Sequence, residues 1–249
     1  MTVTERRAWG TASRGVAAAL CIILLGGIAA IQEGWTALIV GVIVTAVLIS
    51  AVPRAGGRFL GPAAHDELWR RGRVAPGAVW RLAVAVPALS VAGLELLHLF
   101  GDEWSGPELP TADGPVLESL VVLVVAGIVG PVAEELAFRY ALLGGLAALL
   151  PWWAAIGVSS ALFGAMHGAQ LWPLHVVTGV LHGVNARRAG VGTAIAGHVL
   201  GNSILVTVDL LLPIGSLSIA PWGVWAVVAP AAAVLMLTVP APPWAGPER

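Results

Sequence analysis

An all-α fold, a polytopic transmembrane helical bundle of about eight spans, is what this sequence predicts, and three observations predict it. Hydrophobic residues make up 58% of the 249 and charged residues 11%, with a mean hydropathy of +0.89. A soluble domain carries roughly 25% charged residues. The apolar residues gather into stretches near the ~20 residues that a helix needs to cross a bilayer core. The arginines fall at alternate ends of those stretches, as the positive-inside rule requires.

The first span, 15–32, follows Arg6, Arg7 and Arg14. That start resembles a signal peptide, but the length of the apolar run and the spans after it favour an uncleaved helix. The remaining spans are 35–53, 78–100, 116–149, 151–171, 173–186, 191–212 and 222–239, with Pro53, Pro76, Pro115, Pro151, Pro173, Gly190, Pro221 and Pro240 marking most boundaries. Trp35, Trp80, Trp152, Trp153, Trp172, Trp222 and Trp225 lie near span ends, the pattern of an interfacial aromatic belt. No internal repeat is visible, so residues 1–249 read as a single integral membrane domain.

Eight spans with a cytoplasmic N-terminus put the N-terminal arginines, the six in 54–81, Arg187 and Arg188 on the cytoplasmic side. The acidic loop with Asp102, Glu103, Glu108 and Asp113 then lies outside. This arrangement places both termini in the cytoplasm. The net charge of −1 excludes an electrostatic nucleic-acid binder, and the single Cys21 excludes a disulfide framework or a cysteine metal cluster. All thirteen basic residues are arginine, which points to a GC-rich coding bias and, with the compact size, to a bacterial plasma membrane protein.

Arg139 breaks the charge pattern, since it falls inside an apolar helix. A charge at bilayer depth costs at least roughly 2.5–3.5 kcal/mol unless it is paired or hydrated. Glu135 stands four residues before it on the same face, and Glu134 points about 100° away. One carboxylate is then structural and one is free; a buried pair that locks helix packing is the plainer reading.

Phe163 and His167 are again four apart, as are His198 and Asn202. If 116–149 and 151–171 form a hairpin turning at Leu150-Pro151, Glu134 and His167 each lie sixteen positions from the turn and share one height. His198 lies about 15 Å below a turn near Ala189 and the other two about 24 Å below theirs, so the three meet only if the first hairpin projects about 9 Å further. Carboxylate and imidazole together can deprotonate water, and paired His and Asn donors can hold an oxyanion. The same residues can instead clamp helices or, as Glu134, His167 and His198, hold zinc with a water in the open position. No serine in a suitable context and no cysteine near these helices offers a better nucleophile. His175 and His182, seven apart, read as packing or supporting groups; Glu95 and His98 read as a surface or interhelical pair, and Glu118 and Asp209 as interfacial.

In order, Glu134-Glu135-x-x-x-Arg139, Phe163-x-x-x-His167 and His198-x-x-x-Asn202 resemble the motifs of the CAAX prenyl protease and bacteriocin-processing (Abi) family of intramembrane endopeptidases. The resemblance covers about 116–205, the expected catalytic core. It implies that Glu134 and His167 activate water, that His198 and Asn202 stabilise the oxyanion, and that Glu135, Arg139 and Phe163 support the site. It implies a peptide or membrane-protein substrate and a lipid bilayer as partners, and the orientation of the spans favours access from the cytoplasm. The family is described both as metalloproteases and as metal-independent glutamate peptidases. Asn202 is a poor zinc ligand, so no cofactor is favoured. Its eukaryotic branch trims prenylated CAAX proteins, whereas many bacterial relatives are linked to bacteriocin immunity or maturation. A non-catalytic immunity or scaffold protein is the alternative; a proton-coupled transporter is weakened by the lack of a two-fold repeat.

Overall fold

The computed structural model describes residues 2–69, 74–99, 116–168 and 171–211, and these are helical with no strand among them. We number the helices α1 (Val3–Ala30), α2 (Gly34–Phe59), α3 (Pro62–Trp69), α4 (Pro76–Leu99), α5 (Val116–Leu146), α6 (Trp152–Ala165), α7 (Trp172–Ala189) and α8 (Val191–Leu211). The expected span 222–239 lies outside the described residues, as do the acidic loop, Trp222 and Trp225. The side chains of Glu95, His98 and Asp209 also lie outside what is described.

Among the described residues, four helices are long and apolar enough to cross a membrane: α1, α2, α5 and α8. Their outward faces carry large apolar side chains, such as Leu24, Ile39, Val42 and Ile43, which are more than half exposed. Such a surface suits lipid and is unstable in water. α6, at fourteen residues, spans only about 21 Å.

Several boundaries move, each for a local reason. α1 starts twelve residues before the expected span because Thr2 and Glu5 form a capping box, each side chain accepting the other's backbone N–H at 3.2 and 2.6 Å. α2 runs through Pro53 to Phe59, since a buried proline removes one backbone bond without ending a helix that is packed on both sides of it. α6 stops at Ala165, six residues early, where Gly168 adopts φ +83° and Met166 and His167 close a tight turn onto Phe163 and Gly164 carbonyls. The short α3 was not expected within the arginine-rich loop.

α5 is the central element and is not uniformly α-helical. Two π-helical stretches, Val125–Val129 and Glu135–Leu142, interrupt it. Leu143 N–H, for example, donates to the Phe138 carbonyl five residues back. α1 lies along the second stretch and α8 along the first, while α6 pairs with α7 and α8 with α4. Glycine allows the closest approaches: a Cβ at Gly15 would lie 2.6 Å from the Ala141 carbonyl oxygen and 2.8 Å from the Gly145 Cα. Small residues at helix crossings are how membrane helices gain packing energy without a hydrophobic drive. The core so formed surrounds residues 129–143 of α5, which are buried almost without interruption.

Candidate active site

The wall of the site is Glu135. It is fully buried at the start of the second π-helical stretch, and three side chains converge on its carboxylate. Oε1 accepts a hydrogen bond from His198 Nδ1 at 2.9 Å and lies 3.6 Å from His182 Nδ1. Oε2 lies 3.6 Å from Arg139 Nε, the intrahelical pair that the spacing predicts. The Arg139 guanidinium in turn covers the Phe163 ring, with Cζ 4.1 Å from its centroid. A buried charge is tolerated when a counter-charge and an aromatic face replace water.

Glu134, one residue earlier, faces the other way. It is 28% exposed, and each of its oxygens looks at a different imidazole: Oε1 is 3.9 Å from His167 Nε2 and Oε2 is 3.7 Å from His198 Nε2. Both separations exceed a hydrogen bond, and a water oxygen set off either line can touch both partners. His167 Nδ1 bonds to the Phe163 carbonyl at 2.8 Å, so Nδ1 carries the proton and Nε2 presents its lone pair towards Glu134 in the neutral ring. The height match that the two hairpins demanded is therefore met.

Asn202 is placed differently. Its amide donates to the Ala126 carbonyl at 3.2 Å, and Ser203 donates to Gly127 O at 3.3 Å. Both ties fasten α8 to the first π-helical stretch. Asn202 shares the helix of His198, but its contact is with backbone and not with the imidazoles.

Two histidines that sequence reasoning set aside as supporting groups also reach the site. His182 is buried against Glu135 and His198, and the His175 ring stacks on His167 at 3.9 Å with 13° between planes. Their spacing of seven, two turns on one helix face, was the signal available. Ser159, buried on α6, donates to the Phe138 carbonyl at 2.7 Å and ties α6 to the π-helical wall.

Among the described residues, the ligand atoms that gather within 4.8 Å of one another belong to Glu135, His182 and His198, not to Glu134, His167 and His198. Carboxylate and imidazole are donor types that zinc accepts, and this group could hold a metal by that measure. The charge balance opposes it: Arg139 already neutralises Glu135, and the three guanidinium nitrogens have no hydrogen-bonding acceptor that could offset a further dication.

Residues 116–215 match the family model described as Type II CAAX prenyl endopeptidase Rce1-like. The match takes in 100 of the 249 residues and all three motifs, running from the start of α5 past the end of α8. No curated protein and no solved structure matches the chain.

Proposed function

We propose that this integral membrane protein is an intramembrane endopeptidase of the prenyl-endopeptidase type, with 116–205 as its catalytic core. The observation that carries the reading is the Glu134 carboxylate, partly open and flanked by two Nε2 atoms at 3.9 and 3.7 Å. Water held by Glu134 and His167 loses a proton to that pair as its oxygen attacks the scissile carbonyl. The tetrahedral oxyanion accepts hydrogen bonds from the Nε2–H of a His198 imidazolium, whose Nδ1–H is held by Glu135, and from the second N–H of Asn202. The proton then passes to the leaving amine as the C–N bond breaks. Glu135, Arg139 and Phe163 form the rigid wall that holds His198, and the reaction needs no metal.

The family description names prenyl endopeptidases. A peptide with a C-terminal CAAX sequence, with and without a prenyl group, is therefore the first substrate to try, followed by membrane-associated precursor peptides. A bacterial plasma membrane with both termini cytoplasmic gives the site cytoplasmic access. The test is cleavage by the purified full chain in proteoliposomes, beside Glu134→Ala and His167→Ala and with a chelator present. Cleavage that disappears in both variants and persists with chelator supports the reading. Undiminished cleavage in both variants sinks the site assignment, and loss with chelator sinks the metal-free step.

A further inference from the structure

α7 carries His175 and His182, and the chemistry above uses neither. Each lies against one of the two imidazoles that face Glu134. His175 stacks on His167, its own Nδ1 fixed to the Leu171 carbonyl at 2.9 Å. His182 sits with its ring centroid 4.4 Å from that of His198, tilted by 32°. It is 1% exposed, and neither of its nitrogens makes a hydrogen bond; the nearest partner is Glu135 Oε1 at 3.6 Å, the same oxygen that His198 Nδ1 holds. Burying an imidazole without a partner costs about 1–3 kcal/mol. Leucine or phenylalanine would fill the space without that cost, so packing alone does not account for a histidine there.

We propose that α7 is the positioning helix of the site: His175 fixes the ring of His167, and His182 fixes the ring of His198, so that both Nε2 atoms aim at Glu134. The proposal rests on the endopeptidase reading for its consequence in catalysis. Without these faces, each site ring keeps its bond at Nδ1, to Phe163 O or to Glu135, and an aromatic neighbour on the Phe163 side, at 4.5 Å for His167 and 6.3 Å for His198, so it can swing away from that side about the Nδ1 bond. Neither α7 histidine is in contact with Glu134, so both act through the ring they touch. A displacement of about 1 Å at a reacting group lowers turnover by about 100-fold.

The chain has six histidines, so selective labelling with ¹⁵N-histidine in the full-length protein in nanodiscs gives a spectrum simple enough to assign. His175→Ala is expected to move the ring signals of His167 and leave those of His198. His182→Leu is expected to do the reverse. Each should lower kcat on a cleaved peptide by roughly 10–100-fold with KM little changed. His175→Phe, which keeps a stacking face, and His182→Gln, which keeps a donor towards Glu135, should recover most of the loss. If both site rings keep their signals in folded His175→Ala and His182→Leu, or if either of these two variants moves both rings alike, the proposal is overturned. Should His175→Ala or His182→Leu not fold, the Phe and Gln variants decide it, because an unchanged spectrum with unchanged kcat supports positioning by face and donor, and a lost kcat refutes it. If the wild-type protein cleaves no peptide, the endopeptidase reading fails while the ring signals still decide the positioning.

Discussion

Glu134 and Glu135 are neighbours with the same carboxylate and opposite surroundings. Glu135 is sealed, with a cation on one oxygen and two imidazoles on the other. Glu134 is partly open, and among the described residues its nearest imidazole nitrogens stand 3.9 and 3.7 Å away, beyond hydrogen-bond range. The helix rotates Glu135 into the core and leaves the side chain of Glu134 28% exposed. A carboxylate enclosed by a counter-charge and two imidazoles organises a site, whereas a carboxylate left short of partners can act on something that arrives. On the proposed reading, the pair divides stability from chemistry between two adjacent residues.

The largest effect should follow from breaking the open half. Glu134→Gln keeps shape and polarity but removes the base, so peptide cleavage should fall by about 10²- to 10⁴-fold. The melting temperature in detergent should barely move, because no buried charge loses its partner. A large drop in melting temperature would show that Glu134 is a second structural carboxylate and would erase the contrast.

Glu135→Gln should act the other way round. It leaves the Arg139 guanidinium buried and uncompensated, a loss of about 3–5 kcal/mol for a broken buried pair. Adding Arg139→Met should recover part of that loss, since replacing both charges removes the orphan. Thermal unfolding of the single and double variants measures it. A double variant less stable than Glu135→Gln alone would mean that Arg139 has a further role of its own.

Much of this division was legible in the sequence. The spacing of four paired Glu135 with Arg139, and the hairpin count put Glu134 level with His167, because both rest on helix geometry alone. Thr2 with Glu5 and the glycine at 168 were readable end signals that the hydropathy pattern overrode. The π-helical stretches were not legible. No residue type encodes the extra residue per turn; it is stabilised by donors from elsewhere in the chain, Ser159 to Phe138 and Asn202 with Ser203 to Ala126 and Gly127. The roles of His175 and His182 were hidden for a similar reason. Spacing shows that they share a face of α7, but only packing of α7 against α6 and α8 shows what that face meets.

The smallest effect tests what holds the sealed half in place. Ser159 Oγ is buried and donates to Phe138 O, a carbonyl that already accepts Leu143 N–H. Ser159→Ala therefore removes one hydrogen bond without orphaning its acceptor, and the loss should be about 1 kcal/mol. Glu134 lies outside this tie, so cleavage should change little while unfolding shifts. A fall in cleavage at unchanged stability would reverse that assignment. It would mean that α6, through Ser159, sets the height of His167 against Glu134, and that the open half depends on the sealed one for geometry as well as for support.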